Sequence, residues 1–223
     1  MRGIPAGEAH GAAPGKRADM KFYGAPGACS LGIHIVLEEV GASYDFVPVD
    51  LFQGEQFRAE FRRVNAKGKV PALSRDDGSV LTEFPAIAFW LARTFPAAGL
   101  LPEGLEAEVR ALELIDFIVS SIHMQGFTLA KVAQKFVTHE EGQAQLRETG
   151  WGLFQSGLAR LSDRLGEKDW FLGTYSIADA AAFYVLNWAE RESRPLPDNL
   201  VAFAARMRTR PAVLAALQQE GLA

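Results

Sequence analysis

The chain carries one cysteine, Cys29, in the run Pro26-Gly27-Ala28-Cys29-Ser30. By composition alone, a lone cysteine is as readily a small buried hydrophobe as a reagent. Its position supplies the second reading. It follows a short apolar segment and precedes a helical pattern, so it stands at a helix N-terminus, where unpaired N–H groups and the macrodipole favour thiolate. With no second cysteine, a CxxC redox pair is excluded, and any redox cycle must take its other thiol from a small molecule. The next candidate is Glu83, in Glu83-Phe84-Pro85, where a strand pattern gives way to a helix. Backbone N–H groups at such a junction hold a carboxylate, while the Glu83 side chain either binds an ammonium group or complements the helix dipole. His123 closes an apolar helix face, a setting that suits a packed histidine as well as a catalytic one. His34, inside the first helix, reads as structural.

These residues need elements to place them. Lys21-Phe22-Tyr23 reads as a strand closed by Gly24-Ala25-Pro26-Gly27, and Leu31, Ile35 and Val36 recur at helical spacing up to Gly41. Residues 44–49 form a second strand, with Pro48 favouring a sheet edge. A polar helical stretch covers 55–63. Val70-Pro71 enters a third strand, and Arg75-Asp76-Asp77-Gly78 joins it to a fourth at 80–82. Pro85 opens a helix running to Thr94. The order βαβ then ββα makes a small α/β domain. Beyond it only helical periodicity is found, over 106–121, 143–165, 177–190, 200–207 and 211–218. In Ser176-Ile177-Ala178-Asp179 the spacing is that of a capping box. The expected fold class is α/β plus all-α: an α/β domain over 20–96, a Pro/Gly-rich linker over 97–105 and a helical bundle over 106–223.

Residues 1–19 stand apart. Gly, Pro and Ala fill eleven of the nineteen positions, Ile4 is the single large aliphatic residue, and the apolar run of a secretory signal is missing. Such a segment is expected to be disordered, and Met20 opens the strand pattern as a later start would. The whole chain has 223 residues, 48% of them hydrophobic, and a net charge of −4. That length buries a core without disulfide or metal staples. The charge argues against a nucleic-acid partner, no stretch approaches the ~18 apolar residues of a membrane span, and no Cys/His cluster has the spacing of a metal site. A lone thiol is compatible with a reducing cytoplasm.

Together these pieces resemble the cytosolic glutathione transferases, the bacterial beta class in particular. The resemblance runs from Met20 to the C-terminus. It is carried by Met20-Lys21-Phe22-Tyr23, Pro26-Gly27-Ala28-Cys29-Ser30-Leu31, Val49-Asp50-Leu51, Asn65-Ala66-Lys67-Gly68-Lys69-Val70-Pro71-Ala72-Leu73, Leu81-Thr82-Glu83, His123 with Gly126-Phe127, Ser176-Ile177-Ala178-Asp179 and Arg210-Pro211. It implies a thioredoxin-like N-terminal domain, a helical C-terminal domain, a cytoplasmic homodimer and glutathione as cosubstrate with no metal. It implies further that the Val70 backbone pairs with the cysteinyl unit beside a cis Pro71, and that Ser30 and Asp116 belong to the glutathione site. Glu83 would take the γ-glutamyl amine and the Phe84 backbone its carboxylate. Cys29 and His123 would be the catalytic pair, conjugating glutathione to an electrophile or exchanging it with a disulfide.

The departures from the family pattern are specific. Phe52-Gln53-Gly54 occupies the stretch where relatives carry a lysine, with Lys69 as a substitute cation. Asp116 stands where an asparagine is expected, and Met124-Gln125 replaces one basic residue, adding a position before Gly126. Phe84 lacks the hydroxyl many relatives place there. The competing readings are a non-catalytic binding protein on the same scaffold, and a specialised glutathione-dependent dehalogenase or isomerase.

Overall fold

Phe22 and Leu73 lie opposite each other on neighbouring strands, both fully buried, and mark the centre of the first core. In the computed structural model, which describes residues 20–223, four strands build one sheet. They are β1 (Met20–Gly24), β2 (Tyr44–Pro48), β3 (Ala72–Ser74) and β4 (Val80–Thr82), in the order β2-β1-β3-β4. The leader, residues 1–19, for which disorder was expected, lies outside the described residues. β1 and β2 pair in parallel, and β3 pairs antiparallel with both β1 and β4. Pro48, which donates no ladder hydrogen bond, lies on the edge strand as its chemistry requires. The Asp76–Gly78 turn between β3 and β4 has Gly78 at φ 80°, the left-handed conformation that glycine adopts without a Cβ clash.

The helices are α1 (Ser30–Glu39), α2 (Ala59–Val64), α3 (Phe84–Thr94), α4 (Leu105–Phe117), α5 (Thr128–Lys131), α6 (Glu140–Leu165), α7 (Ile177–Arg191), α8 (Asp198–Met207) and α9 (Pro211–Gln219). Among the described residues no strand follows β4, as the periodicity predicts. α1 is buried over its whole run from Ser30 to Leu37, because it packs on β1 and α3 as well as on α7 and α9 of the helical half. The linker is held as well, with the Ile177 N–H donating to the Leu100 carbonyl at 3.0 Å. The capping box forms. Asp179 accepts from the Ser176 N–H at 2.8 Å and from the Phe171 N–H at 3.0 Å, and its burial pushes its carboxyl up to about 6.

Two elements differ from the expected boundaries: the helical stretch read over 55–63 is a short 3-10 turn, Glu55–Phe57, followed by the separate α2. The helix read over 106–121 does not stop at Ser121; it passes from α4 into a π-helical run, Ile118–Phe127, and then into α5. Gly126 does not end it. A Cβ there would lie 2.8 Å from the Phe154 Cα, so glycine is used for close packing on α6, beside the buried Ile118 and Ile122. The extra position before Gly126 falls inside the run. Such π-helical turns are rare and concentrate at functional sites.

Candidate active site

Cys29 is the N-cap residue of α1, as its sequence position predicts, with its Sγ 3.7 Å from the Val70 carbonyl oxygen. The loop before it is fixed from both sides. Inside, the Ser30 hydroxyl accepts from the Ala25 N–H at 2.9 Å and donates to the Ala25 carbonyl at 3.1 Å. Outside, Gly27 donates its N–H to Glu220 Oε2 at 2.7 Å and accepts from the Trp188 indole at 2.7 Å. Gly27 has φ +70°, a left-handed conformation that strains any residue with a Cβ. Glu220 also meets His34 Nδ1 at 2.8 Å with both side chains fully buried, which makes His34 the structural residue the sequence suggests.

The ionisation of Cys29 corrects the sequence expectation of a lowered value. The backbone N–H groups at the α1 terminus do favour thiolate, but desolvation outweighs them, and Glu83 and Glu220 add repulsion. The thiol is pushed up to about 12. No histidine offsets this, because among the described residues His123 makes no hydrogen bond to Cys29. His123 is instead held between Tyr184 and Trp188, with its Nδ1 3.5 Å from the Tyr184 hydroxyl and its ring 4.8 Å from the indole. Burial and the nearby Lys69 push it down to about 4, so it is neutral at physiological pH. A neutral ring still orients a sulfur or donates a hydrogen bond to it through its one N–H.

The second wall is built by two strand ends. The Val70-Pro71 bond is cis, and Val70 lies just before β3, facing Cys29. Glu83 is the N-cap of α3 at φ 73° and ψ 128°, a conformation that costs a non-glycine residue on the order of 1–3 kcal/mol and that clusters at ligand sites. Pro85 occupies the first turn of α3, and Phe84, at the helix N-terminus, is buried. Sequence reasoning did not assign Lys67. Its Nζ lies 2.6 Å from Glu83 Oε1 and 2.9 Å from Thr82 Oγ1, tying the loop before β3 to the end of β4. Its place in the Asn65–Pro71 motif was visible; its partner sixteen residues on was not. Asp116 stands apart, exposed on α4 with no hydrogen bond to these groups. Phe52, in place of the expected cation, is wholly exposed, while the Asp50 carboxylate accepts from its N–H at 2.9 Å and from that of Gln53 at 3.0 Å. Among the described residues no group of three His, Cys, Asp or Glu side chains could hold a metal, and no helix is long and apolar enough to cross a membrane.

Comparisons with known proteins agree with this geometry. Residues 27–94 match the glutathione S-transferase N-terminal domain and residues 143–217 its C-terminal domain. The chain is 35% identical to glutathione S-transferase GstA of Escherichia coli O157:H7, over 91% of this chain and all of the relative. A bacterial beta class glutathione S-transferase of Sphingomonas chungbukensis superposes with a TM-score of 0.80 at 34% identity, over 91% of this chain and all of that one. A sphingomonad glutathione S-transferase complexed with glutathione gives 0.78 at 38%, with the same coverage. A thioredoxin-like sheet domain with a helical second half, matched end to end by these relatives, leaves one conclusion: the chain belongs to the glutathione S-transferase family and resembles its bacterial beta class.

Proposed function

We propose that this glutathione transferase binds glutathione along the Val70–Glu83 wall and acts chiefly by conjugation, the sulfur of glutathione being the nucleophile. The observation that carries the reading is the placement of Cys29 Sγ against the Val70 carbonyl, across from the carboxylate of Glu83 at the α3 N-terminus. A γ-glutamyl tripeptide matches these groups in order. Its cysteinyl unit pairs with the Val70 backbone, its ammonium meets Glu83, and its α-carboxylate meets the Phe84 N–H and the Lys67 ammonium. Its sulfur then lies beside Cys29 and Ser30, with His123 across the cleft.

The reaction forms a carbon–sulfur bond between glutathione and an electrophile and releases the electrophile's leaving group, or none in an addition. The thiol proton goes to solvent or, in an addition, to the electrophile. Cys29 stays a thiol at neutral pH; once the cysteinyl unit of glutathione takes over the Val70 backbone, the Cys29 S–H turns from the Val70 carbonyl and donates a hydrogen bond to the glutathione sulfur, favouring thiolate there. Disulfide exchange through Cys29 is the slower branch, because a protonated thiol is a poor nucleophile. The assembly is a cytoplasmic homodimer, a reading in keeping with the exposed apolar side chains Val80 of β4 and Leu105 and Val109 of α4. The experiment is a comparison of conjugation to a small aromatic halide with reduction of a glutathione mixed disulfide. Conjugation is expected to dominate; dominant disulfide exchange would reverse the assignment.

A further inference from the structure

His123 is neutral at the pH of the cell, so what it can do depends on which ring nitrogen carries the proton. The fold settles this through α7. Along one face of that helix, the Ala180 carbonyl abuts Gly32 of α1, 2.9 Å from where a Cβ would stand, and the Trp188 indole bonds the Gly27 carbonyl. Tyr184 lies one turn from each, close enough to Cys29 for the thiolate charge to raise the phenol. Its ring packs on Phe84 at 5.4 Å, on Trp188 at 4.9 Å and on His123 at 5.9 Å, and the residue is fully buried. Its hydroxyl has one hydrogen-bond partner among the described residues, His123 Nδ1 at 3.5 Å.

A buried phenol proton needs an acceptor. If Nδ1 carried the ring proton, it would donate to the Tyr184 oxygen, and the phenol proton would be left without an acceptor in a dry interior. If Nδ1 is bare, the phenol donates to it and both groups are satisfied. The ring proton is then on Nε2. That atom makes no hydrogen bond to any described residue, and it is not among the fully buried polar atoms that lack a partner, so it keeps some accessible surface.

We propose that Tyr184 is a positioning residue that fixes His123 in the Nε2–H tautomer, so that the imidazole presents a neutral hydrogen-bond donor, and no basic nitrogen, to the sulfur bound beside Cys29. This rests on the glutathione reading for the identity of the sulfur, but not for the tautomer. The π-helical run carrying His123 serves the same end, because it seats the ring between Tyr184 and Trp188. His123 then stabilises developing thiolate charge by donation and takes no proton from the thiol.

The test is a long-range proton–nitrogen spectrum of protein labelled with nitrogen-15 histidine at pH 7, with the His123 signals assigned by their loss in His123→Gln. The expected pattern is one tautomer, protonated at Nε2; a ring protonated at Nδ1 overturns the proposal with no variant needed. In Tyr184→Phe the signals should move toward a mixture of tautomers. For this variant kcat should fall by up to about tenfold, the worth of one hydrogen bond, with KM for glutathione within about twofold. A folded Tyr184→Phe with wild-type tautomer and kcat refutes the positioning role. Failure of glutathione to bind wild-type protein would overturn the functional reading while leaving the tautomer result to stand or fall by itself.

Discussion

Cys29 is the sole cysteine, so its ionisation can be read directly on the wild-type protein. Burial moves the thiol from an ordinary 9.0 to about 12, which lowers the thiolate fraction at pH 8 by about a thousandfold relative to a free thiol. The measurement is the rate of alkylation by iodoacetamide between pH 7 and 10, with free glutathione treated in parallel. The logarithm of the rate should rise by one unit per pH unit throughout, whereas glutathione bends over near its own pKa. Poor access alone would slow the reaction without moving the bend, so the shape of the profile separates burial of the reagent's path from suppression of ionisation. A plateau with a midpoint at or below about 8.5 would refute the reasoning and restore Cys29 as an activated nucleophile. The sign carries into stability. A thiol whose folded value is raised adds stability that is complete below the unfolded value of about 8.5, and that is lost as pH rises through the folded value. Melting temperature should therefore decline above pH 8.5 more steeply in wild type than in Cys29→Ser.

Three further outcomes follow from the same geometry. Cys29→Ser should abolish exchange with glutathione mixed disulfides while changing conjugation of a small aromatic halide by less than about tenfold, one hydrogen bond's worth; equal loss of both activities would place Cys29 in the conjugation step itself. Glu220→Ala orphans the buried His34 ring and the Gly27 N–H together, so unfolding in urea should lose about 3–5 kcal/mol and the melting point about 6–20 °C; a loss under 1 kcal/mol would show that the tail does not hold the Cys29 loop. Asp116→Asn should leave glutathione affinity within twofold by calorimetry, because the carboxylate is exposed and unbonded; a tenfold change would put it in the site.

How far the sequence reached is clearest at particular residues. The strands around Phe22 and Leu73, the Gly78 turn, Pro48 on an edge and the Ser176–Asp179 cap were legible because each depends on neighbours a few positions away. Cys29 and Val70, singled out by position and resemblance, lie against each other, and Glu83 is near enough to repel the Cys29 thiolate. What the sequence hid is set by long-range burial. The thiol of Cys29 is governed by desolvation, which outweighs the local helix terminus that the sequence displays, with smaller repulsion from Glu83 and then from Glu220, 191 residues away. Tyr184 and Lys67 carried no separate sequence signal, because their partners, His123 and Glu83, are adjacent only after folding. The π-helical run was hidden because Gly126 carries the signature of a helix end, while its role is close contact with α6.

The measurement that bears most directly on the account is calorimetric titration of glutathione and of an analogue lacking the γ-glutamyl amine into wild type and Glu83→Gln. The account predicts that wild type prefers glutathione by about tenfold or more, the worth of a charge-assisted hydrogen bond, and that Glu83→Gln binds the two ligands alike. Equal binding of both ligands by wild type, or an undiminished preference in Glu83→Gln, would contradict the placement of glutathione along the Val70–Glu83 wall.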